Sequence, residues 1–359
     1  MGLPAIRGAI LEEIVLYLLA RVGYREIIAG EEGTRRGHSG LEVEGRGEWH
    51  QIDAFAAFDH SPAFMYPLRL MVEAKCYVAS RPVGIETVRN AVGVLKDISE
   101  NYFTPRLYSN HRDSIKFQQY NYHAAIFSTS GFTRGAERYA IAHQIFLIQY
   151  KDVHLFHPIS QALLGIGNKH FKKTMLSRNN ITNVSREAVR RLLRGDPLTD
   201  VMPFTRSGLK YLREQILNPL HAIGGSYFGM LQGKWPIHLL SETPLPLALF
   251  REQDVVKCKI YGRESKHWSF VPVDQREGSE NWFRLEFDLP EEVLELVWSA
   301  QGDRIAIAQL KIEHFSFICV SGIIGNVRRQ VILELDEGWI NDYINKMREA
   351  ANKQKTRHP

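Results

Sequence analysis

Apolar positions recur at helical spacing twice in the first hundred residues, with strand-like runs between and after them. Ile10, Leu11, Ile14, Val15, Leu18, Leu19 and Val22 make a 3.6-residue stripe that predicts a helix over residues 8–23, with Gly23 placed to stop it. Ile85, Val88, Val92, Leu95 and Ile98 predict a second helix over 83–98. Residues 30–48 are rich in glycine and charge and read as loops around a short strand at Leu41 and Val43. "HQIDAFAAF" (50–58) and "RLMVEAKCY" (69–77) read as two strands of a hairpin, joined by a loop bounded by Pro62 and Pro67. "HAAIFSTSGF" (123–132) predicts a buried strand ending in a Ser-Gly turn, followed by a helix to about His143 and a strand over 145–150. The order predicts an α/β fold, a mixed sheet flanked by helices, over residues 1–152.

The pattern then changes twice. Residues 153–235 read as mostly helical, with helices near 185–195 and over 208–217 and a glycine-rich bend at 222–229. From 236 to 359 the chain predicts a β-rich, α+β domain. Its strands lie at 255–261, 267–273, 282–288, 304–311, 314–321 and 329–336, with helices near 290–300 and 337–351.

Charge sharpens this division. Residues 1–152 are neutral, residues 153–235 hold 12 Lys and Arg against 4 Asp and Glu, and residues 236–359 are net negative. A basic middle segment suits a polyanion, and Arg190, Arg191, Arg194, Lys210 and Arg213 are its candidate nucleic-acid contacts; a solvated helical linker has the same composition. Cys76, Cys258 and Cys319 are widely spaced, which excludes a disulfide framework and a zinc site and fits a reducing compartment. No signal peptide or 18-residue apolar run is visible, so the expectation is a cytoplasmic protein with no membrane partner. "HRD" (111–113) resembles a kinase catalytic loop but lacks its companion motifs. Trp268, Phe270, Trp282, Phe283 and Phe287 could stack bases, but at strand spacing they read first as core.

The chemistry concentrates in the hairpin. Glu73 and Lys75 share one side of their strand, while Leu70, Val72, Ala74 and Cys76 form the apolar side. Asp53 lies on the preceding strand, and a hairpin can set Asp53 and Glu73 side by side, about 5 Å apart. Two carboxylates that close repel unless a cation joins them. With the Ala74 carbonyl they form an all-oxygen site suited to Mg²⁺, for which Mn²⁺ substitutes. Lys75 can then hold or deprotonate a water and stabilise charge on phosphorus. Gln51 shares the Asp53 face and could touch that water or a phosphate; His50 points away. The competing reading is a structural Glu73–Lys75 ion pair.

These residues resemble those of the PD-(D/E)xK nucleases. "LEEIVLYLLARVGY" is similar to their first helix, whose glutamate often reaches the metal; Glu13 is the expected one, ahead of Glu12. "GRGEWHQIDAF", "VEAKCY" and "AAIFSTSGFTRGAERYA" resemble the Mrr-type restriction endonuclease branch, over about residues 8–150. Ile52 stands where the family name has proline, and Glu73 where many Mrr-type members carry glutamine. The resemblance implies a Mg²⁺-dependent endonuclease acting on DNA more than RNA, in restriction or defence. Cutting two strands suggests a homodimer, and a catalytically silent binding protein of the same fold is the alternative.

Overall fold

The computed structural model describes residues 2–37, 40–58, 60–61, 64–101, 120–178, 180–231, 235–262, 267–299 and 304–355. Pro62 and the "HRD" stretch lie outside the described residues. The chain divides into two compact units: residues 1–148 with 158–218, and residues 149–157 with 219–359.

The first unit opens with helix α1 (Leu3–Ala20). Strands β1 (Arg25–Glu26), β2 (Thr34–Arg36), β3 (Leu41–Glu44), β4 (Trp49–Ile52), β5 (Ala54–Phe58) and β6 (Leu68–Lys75) follow. Helix α2 (Ile85–Ser99), strand β7 (Asn121–Ser128), helix α3 (Arg134–Ala142) and strand β8 (Phe146–Gln149) complete the α/β part. The main sheet has the order β1-β5-β6-β7-β8, and β2-β3-β4 form a separate three-stranded sheet. β5 and β6 are antiparallel, whereas β6 and β7 are parallel. A parallel pair needs a crossover, and α2 lies within it. Leu70, Val72, Ala74 and Cys76 are all buried, as their alternation in the sequence predicts. On the other face Phe55, Met71, Ala124 and Ile126 pack with Val88, Ala91 and Ala136 of the two helices.

Helix α1 differs from its expected amphipathic form. Ile6, Ile10, Leu11, Ile14, Val15 and Leu18 are buried, and so are Glu12 and Glu13. A helix apolar nearly all round must be covered on more than one side. The second cover is α6, for the chain continues through α4 (His157–Gly165), α5 (Lys173–Leu176) and α6 (Ile181–Arg194), and α6 packs on α1. Gly195, in the left-handed region at φ 73°, caps α6 where the sequence predicts its end. Helix α7 (Arg206–Tyr211) then runs through a π-helical turn (Leu212–Leu217) into α8 (Asn218–Ala222). Of the segment expected over 153–235, residues 158–218 belong to the first unit and the remainder to the second.

The second unit is a closed barrel. It contains β9 (Gly225–Leu231), β10 (Trp235–Ser241), β11 (Val255–Tyr261), β12 (Trp268–Pro272) and β13 (Leu285–Phe287). Helices α9 (Glu291–Ser299) and α10 (Arg304–Phe315), strands β14 (Phe317–Ile324) and β15 (Val327–Leu335) and helix α11 (Glu337–Lys355) complete it. The strand order is β10-β13-β12-β11-β15-β14-β9, closed by β9 on β10. Trp268, Phe270, Phe283 and Phe287 are buried in its core, so these aromatics present no stacking surface. Two local expectations fail here. Residues 304–311 are helical, because Ala, Gln, Leu and Lys favour a helix whatever the short alternation of Ile305 and Ile307 suggests. Residues 225–229 are strand rather than bend, because a Cβ at Gly229 would lie 2.9 Å from the Cys319 carbonyl oxygen of the neighbouring strand.

Candidate active site

The hairpin register builds the site. Ala54 pairs with Val72, so one step further sets Asp53 opposite Glu73. Asp53 is itself a bend, the point at which the chain leaves the three-stranded sheet and enters the five-stranded one. That change of sheet frees its carboxylate from the ladder. It is half-buried and has no hydrogen-bond partner among the described residues. Glu73 and Lys75 stand on the same side of β6, as their spacing requires, with Lys75 Nζ 2.6 Å from Glu73 Oε1.

These side chains line a cleft of about 160 Å³ with Gln51 on one side and Asn90 of α2 on the other. Gln51 reaches the cleft because side chains two apart on β4 and its continuation share a face. Asn90 is exposed, and nothing in the sequence distinguishes it from the other polar positions of this amphipathic helix. His50 turns away from the cleft and bonds Asp97 at 2.8 Å, fastening β4 to α2.

The end of β6 is held from the next strand. Thr129 N–H donates to the Lys75 carbonyl at 3.1 Å, and the Thr129 hydroxyl donates to the Tyr77 carbonyl while accepting from Tyr77 N–H. The Ser-Gly-Phe turn behind it docks on Val83, which donates to the Gly131 carbonyl and accepts from Thr133 N–H. Thr133 caps α3 by accepting from Ala136 N–H. The element that resembles the Mrr-type branch thus fixes where Lys75 leaves the strand.

Electrostatics in the cleft are unequal. Burial pushes the Glu73 carboxyl above its ordinary range, Lys75 pulls it back, and Asp53 pushes it up further. Burial works against the Lys75 ammonium, but Glu73 and Asp53 together outweigh it, so its pKa is raised. Lys75 is therefore a firmly held cation, and Glu73 a carboxylate whose charge is not fully compensated.

Glu12 and Glu13 have different surroundings. Arg190 grips Glu13 with two hydrogen bonds of 2.8 Å and reaches Glu26 at 2.8 Å. Arg194 also meets Glu26, at 2.6 Å. Arg186 bonds Glu12. The three arginines recur every four residues on α6 and face three carboxylates from α1 and β1. Burial raises the Glu12 carboxyl to about 8, with Asp53 the second cause, so Glu12 is the helix glutamate that senses Asp53. A Cβ at Gly8 would lie 3.9 Å from the Ala74 carbonyl oxygen and 4.0 Å from Glu12 Oε1, so α1 passes β6 closely at this turn. The expectation for Glu13 thus meets an obstacle: its two oxygens are already held by Arg190. Neither glutamate lines the cleft itself.

The same pairs alter the reading of the basic segment. Arg190 and Arg194 are engaged with acidic groups of the first unit, and Arg191 bonds Glu187 at 2.8 Å and the Pro197 carbonyl. Lys210 lies 3.8 Å from Glu214 and is largely exposed, and Arg213 is exposed. Three arginines of the basic segment, Arg186, Arg190 and Arg194, are thus paired with acids outside it, while Lys210 and Arg213 stay exposed.

Among the described residues, no group of three or more His, Cys, Asp or Glu side chains is arranged to hold a metal ion. A pair of carboxylates is present, and Mg²⁺ is commonly bound by one or two carboxylates together with water and substrate phosphate. The unpartnered Asp53 opposite an under-compensated Glu73 fits that mode.

No protein-family model and no curated protein matches the chain. Two solved structures overlap it. The protein of unknown function AF1548 is 14% identical, with a TM-score of 0.27 over 52% of this chain and 99% of that one. MspJI restriction endonuclease, solved in complex with a 27-mer oligonucleotide, is 17% identical, with a TM-score of 0.25 over 57% of this chain. This chain spans 35% of the length of MspJI. Overlaps this loose carry no argument, and the site rests on its own residues. No described helix is long and apolar enough to cross a membrane.

Proposed function

We propose that the first unit is a metal-dependent nuclease that hydrolyses phosphodiester bonds. The observation that carries this reading is the Asp53 carboxylate, half-buried, without a hydrogen-bond partner among the described residues, opposite Glu73 and in one cleft with Lys75. Asp53, Glu73 and the Ala74 carbonyl would hold Mg²⁺, or Mn²⁺ in its place, with Glu12 rather than Glu13 as the nearby glutamate of the first helix. The ion would supply Lewis acidity at the phosphoryl group and lower the pKa of a bound water.

The protein's own groups then have distinct tasks. Lys75, beside both carboxylates, can stabilise negative charge as it builds on phosphate oxygens, or hold the attacking water. Gln51 and Asn90, on opposite walls, can orient a phosphate or a water. DNA as substrate, and a restriction or defence role, follow from the resemblance to the Mrr-type branch. A homodimer follows from the need to cut two strands.

The 2.6 Å contact between Glu73 and Lys75 also supports a second reading, a structural ion pair in a silent nuclease-like fold. One experiment separates them. Supercoiled plasmid should be nicked with Mg²⁺ and spared with EDTA, and Asp53→Asn should abolish both nicking and Mn²⁺ binding by calorimetry while melting stays unchanged. A wild type that binds no divalent ion, or an Asp53→Asn protein that nicks normally, leaves only the structural pair.

A further inference from the structure

The second unit carries a larger cleft, about 440 Å³, on the outer surface of the barrel. That is the size of a small-molecule site, for which roughly 300–1,000 Å³ is usual. Its floor is a row across three neighbouring strands: Tyr261 of β11 pairs with Ser269 of β12, and Ser269 pairs with Glu286 of β13. Residues at matched register on adjacent strands face one side of a sheet. Here that side is outward, since Ile260, Phe270, Leu285 and Phe287 between them are in the core.

Among the described residues, one wall is held by backbone and side-chain hydrogen bonds. Asp152 N–H donates to Asp288 at 2.9 Å and Leu155 N–H donates to Glu286 Oε2 at 3.1 Å, so the segment 152–155 is pinned along one side. His267 Nδ1 lies 3.1 Å from the Asp152 carbonyl oxygen. The Tyr261 ring is half exposed and braced by Trp339, 6.2 Å away between centroids. At Gly262, φ is 154° and a Cβ would lie 2.4 Å from the Trp268 ring, so no other residue lets the backbone cross that ring here. Trp268 lines the cleft too, and its indole N–H is buried with no acceptor among the described residues.

The polar groups left over define the ligand. Glu286 Oε1 and the Asp152 carboxylate have no hydrogen-bond partner among the described residues, and both are acceptors only when ionised. Arg284, which lies 3.7 Å from Glu277 and over the Trp282 ring, supplies further donors at the rim, and Tyr261 supplies a π-face. Two acceptors, a planar donor and an aromatic plate match a flat heterocycle that carries an amino group. With two carboxylates and one guanidinium, the lining is not a phosphate clamp. We infer that this cleft binds a nucleobase bearing an exocyclic amino group, stacked on Tyr261, with its amino hydrogens donated to Glu286 and Asp152. Carboxylates recognise cytosine in this way through its amino group. The inference takes from the proposed function only the expectation that the protein meets nucleic acid.

The test is calorimetric titration of the full chain with CMP, AMP, GMP and UMP. Saturable binding of an amino-bearing nucleotide is expected, with UMP weaker by about tenfold or more, because its carbonyl would face a carboxylate. Tyr261→Ala and Glu286→Gln should each weaken binding at least about tenfold with unchanged melting; the second keeps an acceptor for Leu155 N–H. Homopolymers of dC and dT form a second arm. Tighter binding of oligo-dC than of CMP assigns the cleft to a base within a strand, and binding of CMP alone assigns it to free nucleotide. Asp53→Asn serves as control, since it should leave these affinities intact even where plasmid nicking is lost; loss of the nuclease reading and loss of this one are thereby distinct. No saturable binding, equal affinity for UMP, or folded variants that bind like the wild type would overturn the inference.

Discussion

Two sets of acidic and basic side chains lie within the first unit, and they are built differently. Between α1, β1 and α6, Glu13 is 3% exposed and meets Arg190 through both oxygens, while Glu26 meets Arg190 and Arg194. In the cleft, Glu73 and Lys75 each keep about a quarter of their surface, one ion pair joins them, and Asp53 beside them has no hydrogen-bond partner among the described residues. Every carboxylate of the first set is matched; the second set is one cation short. A fully matched network specifies how helices pack, whereas an unmatched carboxylate persists only where something else supplies the missing charge.

The strongest way to break this comparison is at Glu13. Removing one partner of a buried pair costs about 3–5 kcal/mol. Glu13→Gln should therefore lower the melting temperature markedly and leave plasmid nicking by the folded protein unchanged. Loss of nicking without loss of stability would move Glu13 back to the metal.

A buried carboxylate with no cationic partner among the described residues sharpens the contrast. Burial, then the nearby Asp152, raises the Asp288 carboxyl from 3.8 to about 8. Between those values the folded protein keeps a proton that the unfolded chain releases, so stability falls as pH rises, by up to about 1.4 kcal/mol per pH unit. Below pH 4 both states hold the proton and the penalty vanishes. Asp288→Asn, which cannot ionise, should flatten that slope between pH 5 and 8 in chemical denaturation; an unchanged slope would show that Asp288 does not titrate in this range.

Smaller effects on stability are expected in the cleft. Lys75→Ala should shift stability by less than about 1 kcal/mol, the scale of a partly exposed pair. Its nicking rate should nevertheless fall by at least about two orders of magnitude. A fall in melting temperature with normal nicking would make Lys75 structural.

The smallest effect belongs to Arg194, whose side chain is 55% exposed. Arg194→Ala should change stability by less than about 1 kcal/mol. It should leave the salt dependence of DNA binding unaltered, since its guanidinium is occupied by Glu26. A slope flattened by about 0.9 on a log–log plot would return this residue to the phosphate backbone.

The site was legible in the sequence because it depends on local rules. Alternation set Glu73 beside Lys75, and a hairpin of ordinary register set Asp53 across from Glu73. The end of α6 at Gly195 was legible for the same reason. What escaped depends on long-range partners. Adjacent glutamates at 12 and 13 look equivalent until α6, more than 170 residues away, delivers Arg186 to one and Arg190 to the other. Composition likewise does not show that part of the positive charge between 153 and 235, at Arg186, Arg190 and Arg194, has its matching acids on α1 and β1. Residues 304–311 misled for a different reason: four residues of alternation cannot be told from one side of a short helix.

Closure of the barrel also limits how this protein can assemble. A closed sheet gives another chain little edge to extend, although β10 meets β13 only at Leu240 and Glu286. Among the described residues, the first unit has the clearer sheet edges. One edge of its main sheet, β1, is two residues long and charged at both, Arg25 and Glu26, a poor template for templated growth. A dimer joined through that sheet would have to recruit β8 at the opposite edge, and insertion of a proline into β8 is the change that would show whether two copies meet there.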